Sequence, residues 1–155
     1  MIQLHLSKVE AEACGRIVDA VHSVRKLEPQ SSLEPSDGWS SRKDFFTAET
    51  VSMLSEAGKL GGFDLSRVDV WANLLEGGQS IKSHDHRWSC VPGVSNRLSG
   101  VFYPQDSRAA IRFPDFGLRV EPRAGLLLLF DPTAPHSVEA AGGSEPRISI
   151  AFNVY

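Results

Sequence analysis

The sequence has few of the features that mark membrane, nucleic-acid-binding or disulfide-stabilised proteins. Its longest apolar run, residues 126–130, is far shorter than the roughly 20 residues that a membrane helix needs. Its 16 basic and 19 acidic residues leave a net charge of -3 without a run of Lys or Arg, which argues against a nucleic-acid or anionic-membrane partner. The only two cysteines, Cys14 and Cys90, do not form a disulfide framework, and the first residues lack a secretory-signal pattern. Together these absences favour a reducing cytoplasm.

The length and composition fit one globular domain with a sizeable core. The chain has 155 residues, of which 41% are hydrophobic and 23% are charged. No internal repeat or linker divides it. We therefore predict a single domain over residues 1–155, with helical support and a loop in residues 1–62 and a β core in residues 63–155.

Two helices are predicted before residue 63. Ser7 and Glu10 have the spacing of a capping box, and apolar residues then recur at helical spacing, which predicts a helix over about residues 8–26. A second helix is predicted from Thr47 to Leu60, ended by two glycines. Its expected inward residues are Val51, Leu54 and Ala57.

After residue 62 the hydrophobic period becomes that of β-strands. Short alternating segments are separated by Gly, Pro, Asn and Asp, with no helix between them, which predicts antiparallel pairing. The expected fold is mainly β: a double-stranded β-helix (jelly roll) with two flanking N-terminal helices. The predicted strands are residues 67–75, 79–88, 97–103, 109–113, 118–121, 125–130, 136–140 and 147–155.

Three of the five histidines form a candidate metal site. His84 and His86 are two residues apart in a predicted strand, so their side chains share one face and Asp85 points away. His136 starts a strand after a turn, where it can point inward. Three neutral imidazoles would bind a divalent first-row metal and leave positions open for small ligands. The alternative is that these histidines face solvent.

The last predicted strand carries a candidate anion site. Arg147, Ser149 and Asn153 fall on one face, whereas the apolar residues between them fall on the other. A buried guanidinium is costly unless an anion meets it, and a carboxylate fits it bidentately. Ser149 could add a hydroxyl hydrogen bond. The alternative is that Arg147 lies near the rim and pairs with a structural Glu.

The long polar loop that precedes the second helix contains Trp39. This side chain either fills the edge of the core or contacts a substrate. Four basic residues near the expected mouth of the jelly roll hint at an acidic group on that substrate, although surface charges commonly just face water. They are Arg42, Lys43, Arg87 and Arg97.

Together, these motifs resemble the iron(II)/2-oxoglutarate-dependent oxygenases, and within them a group of small bacterial members. The resemblance covers about residues 37–155 and is most specific at the C-terminal end. The segments that carry it are residues 38–41, His84-x-His86, residues 99–103, residues 122–130, His136 and residues 147–153.

The resemblance implies a role for each matching position. His84 and His136 match the first and last iron ligands, and His86 stands where most of the superfamily has Asp or Glu. Arg147 and Ser149 match the pair that holds the distal carboxylate of 2-oxoglutarate. Tyr103 and Asn73, on neighbouring strands, are further expected contacts of 2-oxoglutarate, and Trp39 and Arg97 are expected contacts of the substrate. Asp85 is expected to orient His84 or His86. The alternative is that the strand bulges at Asp85, which then replaces His86 as a metal ligand.

The implied function is an oxygenase that uses iron(II), 2-oxoglutarate and O2 to hydroxylate a C–H bond of a small molecule, releasing succinate and CO2. Two other functions are considered. A cupin-type metal enzyme fits Gly78 and His84-x-His86, but it lacks the Glu expected after His86 and gives Arg147 no role. A jelly-roll binding module without metal would use Trp39 and Trp88 as ligand contacts.

Overall fold

The computed structural model describes all 155 residues and contains two α-helices and ten β-strands. Every pairing between the ten strands is antiparallel, so the predicted fold class is confirmed. The helices are α1 (Ala11–Leu27) and α2 (Ala48–Gly61). The strands are β1 (Ile2–Leu6), β2 (Trp39–Ser40), β3 (Val68–Leu75), β4 (Ile81–His84), β5 (Leu98–Phe102), β6 (Ile111–Phe113), β7 (Leu118–Val120), β8 (Leu126–Phe130), β9 (His136–Val138) and β10 (Arg147–Val154).

The strands form two sheets. The six-stranded sheet has the order β1-β8-β5-β10-β3-β2, and the four-stranded sheet has the order β4-β9-β6-β7. Neighbouring strands are mostly distant in sequence, as the predicted jelly roll requires. The long strand β10 lies in the middle of the larger sheet, where it pairs with both β3 and β5.

Two apolar cores lie on opposite sides of the six-stranded sheet. One core joins that sheet to both helices through Ile17, Leu54 and the apolar residues of alternate strand positions. The other lies between the two sheets and includes Phe113 and Phe130. The central strands of the six-stranded sheet are therefore buried on both faces, which explains why all eight residues of β3 and all eight of β10 are buried.

The two faces of β10 follow the predicted alternation. Ile148, Ile150 and Phe152 belong to the core beneath the helices, whereas the residues between them point to the interior of the sandwich. Phe152 packs directly over its cross-strand partner Gly100. A Cβ at Gly100 would lie 2.2 Å from the Phe152 ring, so only glycine fits under that ring.

Both helices differ in detail from the sequence prediction. Helix α1 begins at Ala11 rather than near residue 8, and its cap position makes no side-chain hydrogen bond. Ser7 does not cap it: its hydroxyl donates to Glu56 on α2 and accepts from the main-chain N–H of Val9, which precedes the helix. Helix α2 has a capping box between Thr47 and Thr50, but Val51 is exposed and does not point inward.

The structure adds two strands that the sequence pattern did not predict, β1 and β2. They form the two edges of the six-stranded sheet, where β1 pairs with β8 and β2 pairs with β3. Both depend on pairing with a distant strand, which local periodicity does not reveal. Neither α-helix has the length and apolar character that crossing a membrane would require.

Candidate functional site

A cavity of about 410 Å³ opens between the two sheets. One wall consists of inward-facing side chains of β3, β5 and β10, and the opposite wall comes from β4, β6 and β9. The rest of the lining comes from residues 33–36 and Lys43 in the loop before α2, from Asp85, His86 and Trp88 after β4, and from Tyr103 and Phe130. The cavity thus collects side chains from strands far apart in the sequence, among them His84, His86, His136, Arg147 and Ser149.

The three predicted histidines meet on this cavity. His84 ends β4 and His136 begins β9, and the two are direct cross-strand partners. The strand predicted over residues 79–88 is shorter in the structure, where β4 ends at His84. His86 therefore lies just beyond the strand, yet the side chain of His86 remains beside that of His84. The Nε2 atoms of His84 and His86 are 3.0 Å apart. One nitrogen from each ring lies within 4.8 Å of the other two, an arrangement that could hold a metal ion.

Hydrogen bonds set the orientation of all three rings. The Nδ1 atom of His84 is 2.7 Å from the Lys82 carbonyl oxygen, and that of His136 is 3.0 Å from the Ala134 carbonyl oxygen. The Nδ1 atom of His86 is 2.9 Å from Asn153 Oδ1. Because a carbonyl oxygen only accepts, each Nδ1 must carry the proton. Each Nε2 then has a free lone pair directed at the other rings.

Burial keeps these imidazoles neutral. Together with smaller contributions from the neighbouring rings of His136 and His84, burial lowers the pKa of His86 to about 3. Burial likewise lowers the pKa of His136 to about 4, with a contribution from His84. The pKa of His84 is also lowered, again mainly by burial. Neutral imidazole is the form that binds a metal, so the site needs no deprotonation at pH 7.

Polar contacts that sequence reasoning missed hold His86 in place. Asn153 Oδ1 accepts a hydrogen bond of 2.7 Å from Ser99 as well as the one from His86. The His86 main chain is fixed on both sides, since its N–H donates to the Pro132 carbonyl and its carbonyl accepts from Asn96 Nδ2. The position of Asn153 on the Arg147 face of β10 was visible in the sequence, but its partner was not.

Asp85 does not make the contact expected of it. Its carboxylate accepts from the main-chain N–H of Arg87 and pairs with the Arg87 side chain at 3.3 Å. It makes no hydrogen bond to His84 or His86, because a short-range turn satisfies it first. The acceptors that orient the rings are instead two main-chain carbonyls and Asn153.

Arg147 is a fully buried cation without a carboxylate partner. Its side chain is 1% exposed, and no acidic oxygen lies within the 4.0 Å of an ion pair. Its Nε donates to the Ala109 carbonyl at 2.7 Å, while its terminal nitrogens reach only Ser149 and Tyr103, both at 3.4 Å. The rim position and structural Glu considered for Arg147 are therefore absent. Two of its five N–H donors have no partner, and the two contacts of 3.4 Å are weak, so the guanidinium remains available to a ligand in the cavity.

The other residues expected beside Arg147 also line the cavity. Ser149 and Asn73 are cross-strand partners on β10 and β3. Tyr103 follows β5 and Asn73 lies on β3, and these are the two strands that neighbour β10. Asn73 Oδ1 accepts from Ser40, which leaves its amide nitrogen to face the cavity.

The two expected substrate contacts lie elsewhere. Trp39 is buried in the core beneath the helices, and its indole N–H donates to the Glu28 carbonyl, so it fills the edge of the core. Arg97 is exposed outside the cavity, and its main-chain N–H bonds to Val154. The tryptophans on the cavity wall are instead Trp71, which is buried, and Trp88, which is exposed.

Solved structures share this architecture. A Pseudomonas putida prolyl-4-hydroxylase matches with a TM-score of 0.72 and 20% identity over 99% of this chain and 91% of its own. A Trichoplax adhaerens prolyl hydroxylase, in complex with a hypoxia inducible factor peptide fragment, matches with a TM-score of 0.74 and 14% identity over 99% of this chain and 83% of its own.

A third match is SnoK, a non-heme α-ketoglutarate-dependent carbocyclase from nogalamycin biosynthesis, with a TM-score of 0.71 and 15% identity over 98% of this chain and 78% of its own. No protein-family model matches the sequence, and no curated protein does. The likeness is therefore one of structure rather than sequence. The chain has a double-stranded β-helix fold, which it shares with these prolyl hydroxylases and with SnoK.

Proposed function

We propose that this chain is an iron(II)- and 2-oxoglutarate-dependent oxygenase that hydroxylates a C–H bond of a small molecule. In this proposal His84, His86 and His136 bind the iron and Arg147 binds 2-oxoglutarate. The observation that carries it is that one cavity contains both a cluster of three lone-pair donors and a buried cation without an anion. Neither group has a purpose in stabilising the fold, since each is costly while its partner is missing.

The donor set suits iron(II). Three imidazole nitrogens are borderline ligands that divalent first-row metals accept, and three ligands on one side leave positions open for a co-substrate and O2. The set differs from two histidines and a carboxylate because His86 replaces the acid. The bound metal would keep its full double positive charge, which favours a dianionic co-substrate such as 2-oxoglutarate.

The surroundings of Arg147 suit one end of a dicarboxylate. The guanidinium offers a planar pair of donors, Ser149 and Tyr103 supply hydroxyls, and the amide nitrogen of Asn73 is free to donate. The expected hydrogen bonds from Tyr103 and Asn73 thus remain part of the proposal. SnoK, whose fold is similar, is described as α-ketoglutarate dependent, which adds support.

When bound, iron would allow O2 to act as the oxidant: one oxygen atom would enter the substrate C–H bond and the other would enter 2-oxoglutarate, which would be released as succinate and CO2. The chain supplies position and environment. The histidines fix the metal at the inner wall, Arg147 fixes the co-substrate, and the apolar side chains of Val101, Ile111 and Phe130 limit water in the cavity. We further propose that residues 1–155 act as one domain, in the cytoplasm, where its two free cysteines would stay reduced.

The decisive experiment needs no substrate. Ferrous iron and 2-oxoglutarate are added anaerobically to the metal-free protein, and the visible charge-transfer band between the metal and the keto acid is recorded. We expect a band in the wild type that weakens sharply in Arg147→Ala. Arg119→Ala is the matched control, since Arg119 lies on the outer surface and pairs with Glu139.

Each other result points to a different function. Iron that binds without a band would contradict the 2-oxoglutarate assignment and favour a cupin-type metal enzyme. A protein that refuses iron altogether would favour a binding module without metal. If the band is unchanged in Arg147→Ala, the co-substrate binds in another part of the cavity.

A further inference from the structure

Lys43 is a cation on the cavity wall that has no role in the proposed binding of iron and 2-oxoglutarate. It is half-buried, and its Nζ lies 5.1 Å from the centre of the Trp71 ring. Its ammonium makes no side-chain hydrogen bond and no ion pair within 4.0 Å. A half-buried lysine that relies on an aromatic ring alone is only partly compensated for lost hydration.

The acidic groups near Lys43 do not neutralise it. Asp85 pairs with Arg87, and Asp44 lies 3.9 Å from Arg42. The buried Asp69 accepts a hydrogen bond from the Cys90 thiol instead. Glu34, the remaining acid on the cavity wall, is exposed and therefore hydrated. The ammonium of Lys43 is thus available to an anion that enters the cavity.

The position of Lys43 separates it from the anion site at Arg147. Trp71, which Lys43 covers, pairs across the sheet with Ala151, four residues along β10 from Arg147. At about 3.3 Å per residue, this places the two cationic regions roughly 13 Å apart along the strand. Trp71 also lies beside the histidines, with its ring centre 5.8 Å from that of His86. Lys43 therefore flanks the metal-binding end of the cavity.

The side chains around Lys43 indicate the chemical character of the rest of a ligand. The indole ring of Trp71 forms the wall beneath the ammonium, and Trp88 is 70% exposed at the opening of the same cavity. An exposed tryptophan on a cavity wall is a large apolar surface that a ligand would cover. A ligand that suits both features has an apolar body and one negative charge.

We propose that the substrate is a small carboxylic acid with an apolar body, and that Lys43 binds its carboxylate. The inference rests on the proposed function, because it takes the cavity beside the histidines as the substrate site. The ion pair would complete the coordination of a partly desolvated ammonium, and the body of the substrate would lie against Trp71 and Trp88. Lys43 would then select acids over neutral analogues and orient them relative to the metal.

The test measures binding alone, without metal or turnover. Benzoate, phenylacetate and 3-phenylpropionate are titrated against the metal-free protein, each beside its primary amide, and tryptophan fluorescence reports binding because Trp71 and Trp88 line the cavity. We expect at least one acid to bind about tenfold more tightly than its amide, as one charge-assisted contact predicts.

Variants assign that preference to one residue. Lys43→Met should abolish the preference for the acid, and Lys43→Arg should retain it because the charge remains. The control Lys26→Met, at an exposed lysine of α1, should behave as wild type. Arg147→Ala distinguishes the two cationic regions, because loss of the preference in that variant would place the carboxylate of the probe at Arg147 instead of Lys43. Circular dichroism of each variant verifies its folding.

Three results would overturn the inference: no acid binds more tightly than its amide, the preference survives in Lys43→Met, or the preference disappears in Arg147→Ala. None of these depends on the charge-transfer experiment. The substrate class and the oxygenase function can therefore fail independently of each other.

Discussion

The polar groups on the outer face of the four-stranded sheet find partners within the chain, whereas those on its inner face are only partly paired. On the outer face, Arg112 and Arg119 both donate to the Glu139 carboxylate, and Arg119 does so through two nitrogens at 2.9 and 2.8 Å. On the inner face, His84 and His136 present lone pairs to a cavity that offers them no donor. The same strands thus carry a complete hydrogen-bond network on one face and an incomplete one on the other.

The difference teaches how to recognise a site without a ligand. The outer network is complete within the chain, so its role is structural and its energetic contribution is small. The inner groups and Arg147 are buried at a cost, and nothing in the chain compensates them fully. Buried polar groups that are well oriented but incomplete indicate a partner from outside the chain.

The largest expected effect comes from breaking the inner cluster. His136→Ala should lower the affinity for iron(II) by more than about 100-fold, because the loss of a ligand exceeds the 10- to 100-fold cost of losing a ligand's support. Anaerobic competition with a chelating dye measures the affinity. Arg112→Ala, on the outer face of the neighbouring strand, should leave it unchanged. Equal iron(II) affinities in the two variants would show that His136 is not a ligand of the metal.

Removing the support of His86 should have the next largest effect. Asn153→Leu deletes the acceptor for His86 Nδ1, so the ring loses its fixed orientation and the iron(II) affinity should fall by about 10- to 100-fold. Asn153→Asp keeps an acceptor and should restore most of the affinity. If Asn153→Leu binds iron as tightly as wild type, the Pro132 and Asn96 contacts alone position His86.

The cost of the uncompensated cation should appear in stability. In Arg147→Met the ligand-free protein should gain about 1 kcal/mol in its free energy of unfolding, because a buried charge without a partner is removed. Urea denaturation measures this. Added 2-oxoglutarate should stabilise the wild type and not the variant. A loss of several kcal/mol in the variant would mean that Arg147 serves the fold.

The smallest effect is expected on the outer face, and it depends on pH. Hydrogen bonds from Arg119 lower the pKa of Glu139 to about 2, with smaller contributions from the Ala110 N–H and Arg112. A carboxyl whose pKa is lowered on folding stabilises the protein above its unfolded pKa, about 4.5, and loses that contribution as the pH falls toward 2.

Glu139→Gln should therefore be less stable than wild type by under about 1 kcal/mol at pH 7, and this difference should shrink between pH 5 and 2 in chemical denaturation. Salt should reduce it as well. A stability difference that stays constant across this pH range would mean that Glu139 stabilises the protein through packing rather than through its charge.

Much of the fold could be predicted because local patterns carry it. Eight of the ten strands follow from period-two alternation, and the apolar face of β10 packs beneath the helices as its spacing indicates. The edge strands β1 and β2 were not predicted, because their pairing with β8 and β3 defines them and local periodicity does not show it. The start of α1 was misplaced: Ser7 and Lys8 both donate to Glu56, a residue distant in sequence, and the helix begins only at Ala11.

The site was predictable where residue type alone limits the chemistry. Three histidines and an inward-facing arginine suggested a metal and an anion, and the structure places all four on one cavity. Trp39 and Arg97 were assigned to the substrate on their character, yet one fills the core and the other lies outside the cavity. Side-chain chemistry states what a residue can do, whereas only its neighbours decide whether it does so.

The sequence by itself determined the alternation of the strands and the identity of the candidate ligands, because both are local properties of the chain. Only the tertiary structure decided that His84 and His136 face each other across strands, that Asn153 rather than Asp85 orients a ring, and that no acid reaches Arg147. Those outcomes depend on contacts between residues distant in sequence. Such contacts exist only after the two sheets have packed.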